Sequence, residues 1–429
     1  MRIDSRFVKR IRKEFPAADA DPVGRRRAFL DNGAGTLVTM RSAEREAVAR
    51  IDWSANVGNL FPESVGAEGT ILEGRQAVSD LLGASGPETI VSGESATSLL
   101  FNLSYAMGRE FTGAENVVTT GYEHYTNINP WVELGTMENI RQLRFVEFNR
   151  ETGRIDLQTL SDLVDSDTKV VTVSAASNVL GTRTDLKAAG KIAKDAGAYF
   201  VVDAVHHIAH GATDVKAIKC DALVFSGYKL FSRHGSFMYL NPELMEDLTP
   251  FKVLSSPDHG PEKWEWGTRD QAMFAAITGA IDYVSWVGNP SAKRPPAAGK
   301  QRRARLMGAF ETIEEYERRL SDLVLNGKGR LRGLLDIPGL TLYGPKDTKG
   351  KMGRDPTFSF KIDGWDDRKL SKLLWDKYAI AVGAEDYYSR VPALYEAETM
   401  LRVTFVHYNT EQEAMSLLKA LNEVAERRR

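Results

Sequence analysis

The sequence is poor in cysteine, in long apolar runs and in charge of one sign. Its only cysteine, Cys220, excludes an intrachain disulfide and a metal cluster built on several cysteines. This fits a reducing compartment, and we expect a cytoplasmic protein. No apolar run reaches the roughly 20 residues of a membrane-spanning helix, and the charged N-terminus lacks the apolar stretch of a signal peptide. Acidic and basic residues are interleaved with a net charge of -2, so we expect neither a membrane nor nucleic acid as a partner.

Between about residues 85 and 240, short apolar runs alternate with helical patterns. The runs ETIVSG, ENVVTT, TKVVTVSAAS, AYFVVDA and CDALVFSGY are typical of buried strands, whereas SATSLLFNLSYAMGREF and DLKAAGKIAKDAG are typical of helices. This alternation predicts an α/β fold with a mostly parallel sheet and helices on both faces.

The pattern changes after a Pro, Gly and basic stretch near residues 286–303. A long amphipathic helix is predicted over LMGAFETIEEYERRLSDLVLNGKGRLRGLLD, followed by strands (TFSFKID, MLRVTFVHYN) mixed with helices (DRKLSKLLWDKYA, TEQEAMSLLKALNEVAE). We expect a smaller α+β domain here. The predicted division is an N-terminal segment, 1–28, that packs with the small domain, a large domain, 29–290, and a small domain, 291–429.

Polar residues follow the apolar runs, at the sheet edge where open parallel sheets bind ligands. Ser95, Ala96 and Thr97 open a helix whose free N–H groups favour a phosphate, although an ordinary helix cap has the same residues. His124 is suited to stack on a planar ligand or to transfer protons, or is a loop histidine. Asn178 lies on a turn, where its amide could donate to a ligand oxygen or serve the turn itself.

Two charged residues end the next two runs. Asp203 follows a nearly apolar stretch, and its carboxylate needs a cation or donor, or caps the next helix. Lys229, with Ser226 before it, is either a structural ion-pair partner or a nucleophile that forms a Schiff base. A phosphate site, an aromatic-faced pocket, an amide donor, an acid and an amine together match pyridoxal 5'-phosphate, whose protonated ring an aspartate stabilises as an electron sink.

The segments DAVHH and SGYK resemble the class V aminotransferase family of fold-type I pyridoxal-phosphate enzymes, which contains cysteine desulfurases, selenocysteine lyases and isopenicillin N epimerase. The similarity extends from FLDNGAGT to LRVTFVHYNTEQE. It implies a large domain with a mostly parallel central sheet and a smaller α+β C-terminal domain. It also implies that Asp203 binds the pyridine nitrogen, that His206 lies near the phenolic oxygen, that Lys229 forms the Schiff base and that Ser226 binds phosphate.

Further segments extend the resemblance. EHYTNINPW implies that His124 stacks on the cofactor ring, and SNVLGT implies that Asn178 contacts cofactor or substrate. WEWGTRDQ implies that Thr268 reaches the phosphate of a neighbouring subunit, hence a homodimer with shared active sites. MLRVTFVHYNT supplies Arg402 for the substrate carboxylate, and FLDNGAGT supplies Asn32 as a substrate contact.

The sequence also departs from the family. Cysteine desulfurases carry a sulfur-accepting cysteine on a mobile loop, but VGAEDYYSRVPALYEAETM contains none, and we expect Cys220 to be core packing. A second arginine expected after IAV is replaced by Gly383, which leaves Arg390 and Arg233 as candidate companions of Arg402. The loop FSRHG brings Arg233 and His234 towards the expected pocket.

The resemblance implies an enzyme that acts on an amino acid, with the Lys229 amine as general base at Cα. The predicted reaction is β-elimination of the carbon–sulfur lyase type without a protein persulfide. Alternatives are an aminotransferase, then an epimerase or decarboxylase, and more remotely a non-catalytic pyridoxal-phosphate-binding module. A nucleotide-dependent α/β enzyme would require a glycine-rich or Walker fingerprint, which the sequence lacks.

Overall fold

The computed structural model describes residues 2–292, 294–348 and 352–426, so residues 1 and 427–429 at the ends of the predicted segments lie outside the description. The strands are β1 Ala28–Phe29, β2 Ile90–Gly93, β3 Asn116–Thr120, β4 Gln142–Val146, β5 Phe148–Asn149, β6 Arg154–Ile155, β7 Thr168–Ser174, β8 Tyr199–Asp203, β9 Ala222–Ser226, β10 Ser236–Leu240, β11 Gly327–Lys328, β12 Leu331–Arg332, β13 Leu340–Tyr343, β14 Thr357–Ile362, β15 Ile380–Ala381, β16 Gly383–Glu385 and β17 Met400–Thr404.

The helices are α1 Ser5–Lys13, α2 Met40–Asp52, α3 Pro62–Leu82, α4 Ala96–Gly108, α5 Asn129–Thr136, α6 Leu157–Leu163, α7 Leu186–Asp195, α8 Val215–Ile218, α9 Pro242–Asp247, α10 Gln271–Gly288, α11 Lys300–Asn326, α12 Asp367–Tyr378, α13 Val391–Leu394 and α14 Glu411–Glu426. Within the described ranges, none of these helices combines the length and the apolar character needed to cross a bilayer.

A seven-stranded sheet forms the centre of the fold, in the order β2-β10-β9-β8-β7-β3-β4. Strands β9, β8, β7, β3 and β4 pair in parallel, and β10 runs antiparallel between β2 and β9. The strands β2, β3, β9 and β10 are buried along their whole length, because helices cover both faces and the strand sequences are continuous rather than alternating apolar runs. The predicted mostly parallel α/β sheet is confirmed, although β10 was not foreseen.

A second, antiparallel sheet of order β13-β14-β17-β16 follows in the C-terminal part. It is joined to the central region by the Ser359 hydroxyl, which donates to the Val179 carbonyl at 2.6 Å, and by a bridge between Thr182 and Arg354. This brings β17 and β16 close to the carboxyl ends of the central strands. The division at residue 290 stays a prediction.

Helix α11 ends earlier than the amphipathic pattern predicted. Its apolar spacing continues to Leu335, but the helix stops at Asn326 and the chain turns back through the short β11–β12 hairpin. Gly327 and Gly329 have φ angles of 74° and 63°, a left-handed conformation that ends a helix and that glycine adopts without strain.

The N-terminal segment lies against two parts of the chain. Phe7 packs on Trp286 of α10 with ring centroids 5.6 Å apart, and Arg12 pairs with Glu413 of α14 at 3.1 Å. Phe15 is fully buried with its ring 5.0 Å from Tyr283. The segment therefore contacts both the C-terminal helix α14 and α10, and its packing with a separate small domain stays a prediction.

Candidate active site

A cavity of about 500 Å³ opens at the carboxyl ends of the central strands, against the second sheet. Most of the predicted site residues line it, namely Ser95, Ala96, Thr97, His124, Asn178, Asp203, His206, Ser226, Lys229 and Arg402. Their convergence follows from the topology: parallel strands end at the same edge, and the residues after each strand meet there.

Lys229 lies one short turn beyond β9, on the 3-10 segment Gly227–Lys229. Its ammonium group donates to the Gly33 carbonyl and lies 5.3 Å from the centre of the Tyr228 ring. Burial, with the nearby Arg402 charge, lowers the pKa of Lys229 to about 7. An amine with this pKa can exist as the free base near neutral pH, the form that attacks a carbonyl or accepts a proton.

Asp203 ends β8 and is 5% exposed. One carboxylate oxygen accepts from the Val205 N–H at 2.8 Å. Burial raises the pKa of Asp203 to about 7, and the negative charge of Glu123 adds to this effect. Among the described residues no cation contacts this carboxylate, so a positively charged ring nitrogen would supply the partner that it lacks.

The part of the cavity wall at the start of α4 is suited to an anion. The Ser95 hydroxyl caps α4 by accepting from the Ser98 N–H at 3.0 Å. The N–H groups of Ala96 and Thr97 have no acceptor among the described residues, and helix starts of this kind bind phosphate. Beside them, the hydroxyl of Ser226 contacts that of Ser236 at 2.7 Å.

Two histidines in the cavity wall are held neutral. Burial lowers the pKa of His124 to about 4, and its Nδ1 accepts from the Thr126 N–H at 3.0 Å. Burial, followed by the positive charge of His210, holds the pKa of His206 well below its usual value. The His206 Nε2 lies 2.9 Å from the Thr357 hydroxyl. A neutral imidazole can present an apolar ring face or a single N–H to a planar ligand.

Arg402 on β17 forms the part of the wall that belongs to the second sheet. It is 2% exposed, donates to the Asn178 carbonyl at 3.0 Å and lies 3.8 Å from the Tyr387 ring centre. Its Nε has no hydrogen-bond acceptor among the described residues. A Cβ at Gly33 would lie 2.9 Å from the Arg402 guanidinium carbon, so glycine leaves room for it. Asp31 lies 3.6 Å from the guanidinium, which leaves donors available to a substrate carboxylate.

Several predicted residues lie outside the cavity. The Asn32 amide donates to the Thr404 carbonyl at 2.6 Å and its oxygen accepts from the Tyr408 hydroxyl. Because both ends of this buried side chain are used within the protein, its position does not support the predicted substrate contact. Arg233 pairs with Asp270 at 2.6 Å.

Arg390 pairs with Glu147 at 3.0 Å. It does not line the cavity, whereas His234 does, with its ring stacked 4.6 Å from that of Tyr228. Thr268 is exposed and lies away from the cavity of its own chain. Its contact with a neighbouring subunit stays a prediction.

The structure adds cavity residues that the sequence did not reveal, among them Ser236, Glu385 and Tyr387. Ser236 lies directly across from Ser226 in the β9–β10 pair, a position that would have followed from recognising β10. For Glu385 and Tyr387, no local pattern indicated that this short strand and its loop reach the cavity.

The loop after β16 is held against the central part of the chain. The Tyr388 carbonyl accepts from the Tyr125 N–H at 2.7 Å, and the Tyr387 carbonyl accepts from the Asn178 amide at 3.0 Å. Tyr387 and Tyr388 have φ angles of 58° and 51°, which non-glycine residues adopt only where the surroundings enforce them. Cys220 is 3% exposed, precedes β9 at the end of the strand away from the cavity, and has its pKa raised by burial.

Pyridoxal 5'-phosphate fits these residues. The unpaired carboxylate of Asp203 matches its ring nitrogen, the start of α4 matches its phosphate, and Lys229 matches its aldehyde. The Asn178 Oδ1 is buried without a partner, which leaves a polar atom for a bound group.

The family model described as "Aminotransferase class-V" matches residues 28–417. The chain belongs to this family. It is 26% identical to a cysteine desulfurase of Pectobacterium atrosepticum over 97% of this chain and 98% of the relative. It is 27% identical to a probable cysteine desulfurase of Synechocystis, with 96% and 94% covered.

Solved structures agree in fold. A cysteine desulfurase of Thermococcus onnurineus superimposes with a TM-score of 0.84 at 24% identity over 99% of both chains. One from Escherichia coli gives 0.79 at 21% identity over 98% of both chains. The class V aminotransferase member described here therefore has the fold-type I architecture, uses pyridoxal 5'-phosphate and is an enzyme.

Proposed function

We propose that this class V aminotransferase member is a carbon–sulfur lyase that catalyses β-elimination from cysteine or another β-substituted α-amino acid. The observation that carries the proposal is the combination of Lys229 and Asp203 in one cavity with a sole thiol buried away from it. Cysteine desulfurases are among the relatives, and the site offers no cysteine that could accept sulfur.

Each side chain has a role in this reaction. Arg402 binds the substrate carboxylate through a charge-assisted hydrogen bond, and Lys229 first holds the cofactor and then accepts the Cα proton. The cofactor supplies an electron sink for the pair left at Cα. Asp203 keeps that sink effective because its carboxylate stabilises a protonated ring nitrogen. His124 lies in the cavity wall, where its neutral ring is suited to stack on the cofactor.

The reaction balances without an oxidant or a protein thiol. The Cα–H bond breaks and its proton goes to Lys229; the Cβ–S bond then breaks and its electron pair leaves with sulfur, which becomes a thiol or sulfide on protonation. The other product is 2-aminoacrylate, which water converts into a keto acid and ammonia. No amino acceptor is needed, which distinguishes this reaction from transamination.

Product analysis tests the proposal. The holoenzyme is incubated with cysteine, cystine, S-substituted cysteines, alanine and glutamate, and keto acid, ammonia and thiol are quantified. Equal amounts of all three over many turnovers without an added keto acid are expected. Turnover that stops after one equivalent of cofactor until a keto acid is added would identify an aminotransferase instead.

The Lys229→Ala variant provides the matched control. We expect it to lose the visible absorbance of the lysine-bound cofactor and to lose about 10²- to 10⁴-fold in rate, the range of a missing general base. A wild-type protein that takes up no pyridoxal 5'-phosphate would contradict the assignment of this cavity.

We also propose a homodimer in which a second copy covers an apolar surface on α2 and α3. Exposed apolar side chains there are Ile51 of α2, Leu60 in the connection between the helices and Leu72 of α3, which are 77%, 98% and 56% exposed; exposed apolar patches mark interaction sites. Asp270 pairs with Arg50 of α2 at 3.7 Å, which brings the exposed segment around Thr268 next to this surface.

The expected assembly is tested by Leu60→Asp. Placing a charge on the surface should shift the protein from dimer to monomer in analytical ultracentrifugation. The matched control is Val23→Asp, which changes an 88% exposed side chain near the N-terminus and should leave the mass unchanged. A wild-type monomer would contradict the proposal.

A further inference from the structure

Glu385 is a cavity-lining carboxylate to which the proposed reaction assigns no role. Asp203 and Lys229 serve the cofactor, the start of α4 and Ser226 serve the phosphate, and Arg402 serves the substrate carboxylate. Glu385 also lines the cavity, half-buried. Among the described residues its carboxylate has no hydrogen bond and no ion pair, although its charge acts at longer range on Lys229 and Asp31. Because Glu385 is half-buried, water solvates its carboxylate in the free protein, and a cation on a ligand would supply a direct charge partner there.

The strand register fixes where this carboxylate faces. In the antiparallel β16–β17 pair, Gly383 is opposite Arg402 and Glu385 is opposite Met400. Side chains alternate along a strand, so Glu385 projects from the same face as Gly383 and therefore from the face of Arg402. Arg402 and Glu385 are thus diagonal neighbours on the cavity wall.

The cavity wall therefore offers a substrate two opposite charges, the cation of Arg402 and the anion of Glu385. The backbones of diagonal neighbours on paired strands are about 7–8 Å apart, so both side chains are close enough to contact opposite ends of one amino-acid substrate. An amino acid whose carboxylate binds Arg402 can therefore place a side-chain cation at Glu385. A side-chain carboxylate would instead meet Glu385 and the neighbouring Asp31 and would be repelled.

We propose that Glu385 determines specificity by binding a cationic group on the substrate side chain, so that the enzyme acts on basic β-substituted α-amino acids. This inference rests on the proposed function for the cofactor and the reacting carbon, and adds the class of side chain. Glu94, the remaining cavity-facing carboxylate in the described part of the chain, is exposed beside the start of α4 and so belongs to the phosphate end.

Three cysteine thioethers of similar length test the inference. S-(2-aminoethyl)-L-cysteine carries a cation, S-propyl-L-cysteine is its neutral counterpart, and S-carboxymethyl-L-cysteine carries an anion. With the wild-type holoenzyme, kcat/KM should be at least about tenfold higher for the cationic thioether than for the neutral one, as a charge-assisted hydrogen bond provides. The anionic thioether should be the poorest substrate.

The variants locate the effect. Glu385→Gln keeps the shape but removes the charge, and should abolish the preference by raising KM for the cationic thioether with little change for the neutral one. Glu398→Gln makes the same change at an exposed position that does not line the cavity and should keep the preference. Dissociation constants measured by calorimetry on the Lys229→Ala protein loaded with cofactor, whose turnover is slowed by about 10²- to 10⁴-fold, should show the same order.

The outcomes separate this inference from the function on which it rests. A protein that takes up no cofactor contradicts the proposed function. A yellow holoenzyme that turns over all three thioethers equally, or that binds no cationic amino acid, overturns the role of Glu385 alone. A preference that is lost with Glu94→Gln and kept with Glu385→Gln overturns it as well, because the cation would then bind at the phosphate end.

Discussion

Replacing Asp203 by asparagine should separate stability from activity. The carboxylate is buried and has one hydrogen bond, to the Val205 N–H, which the asparagine oxygen can also accept. The substitution therefore keeps the shape and the acceptor and removes the charge. Without the cofactor this buried charge destabilises the folded chain, whereas in the holoenzyme we propose that it pairs with the ring nitrogen.

The pKa gives the size of the effect. Burial raises the pKa of Asp203 from 3.8 to about 7, roughly three units, and at 1.36 kcal/mol per unit the ionised form destabilises the cofactor-free fold by about 4 kcal/mol. Below pH 3.8 the carboxyl is protonated in both folded and unfolded chains, so there is no penalty. The penalty grows between pH 3.8 and 7, where only the unfolded chain ionises, and is constant above pH 7.

Urea unfolding of the cofactor-free proteins measures this difference. Asp203→Asn should be more stable than wild type by up to about 4 kcal/mol at pH 8, and by much less at pH 4.5. Asp195→Asn, which removes the same charge from an exposed helix position, should change stability by less than about 0.5 kcal/mol at either pH. The reconstituted Asp203→Asn enzyme should lose at least about 100-fold in kcat. A variant no more stable than wild type at pH 8, or a difference independent of pH, would refute the reasoning.

Three further substitutions test the substrate-binding role of Arg402, the space beside Gly33 and the buried Glu317–His210 contact. Arg402→Lys should raise amino-acid dissociation constants about tenfold or more without changing cofactor absorbance, whereas Arg390→Lys, outside the cavity, should not. Gly33→Ala should weaken substrate binding by about 5- to 100-fold in titrations, because its Cβ would displace the Arg402 guanidinium. Glu317→Gln should lower the free energy of unfolding by about 1–3 kcal/mol in denaturant titrations, because it weakens the buried 2.8 Å hydrogen bond with His210; an unchanged value would contradict this contribution.

The sequence predicted the part of the site that the central sheet builds. Asp203 and Lys229 each follow an apolar run, and in a parallel sheet the ends of such runs share an edge. Local pattern and topology point to the same place, so the prediction required no knowledge of distant contacts.

The part of the site that comes from the second sheet could not be predicted in this way. Glu385 lies on a three-residue strand whose position depends on its pairing with β17, and three residues carry too little pattern to indicate a strand or its face. Asn32 shows that local resemblance can also suggest a contact that the fold does not support. Its segment resembles a substrate-binding one, but its partners, Thr404 and Tyr408, lie more than 370 residues away.

The burial of Cys220 allows local opening of the folded chain to be measured through the reactivity of its thiol. The thiol is 3% exposed, and burial raises its pKa, so thiol reagents reach it only when the strand leading to Lys229 opens. Because it is the only cysteine, the rate of alkylation under native conditions measures the opening of that strand without interference from other thiols. Comparing this rate with and without pyridoxal 5'-phosphate would show how strongly the bound cofactor holds the strand closed.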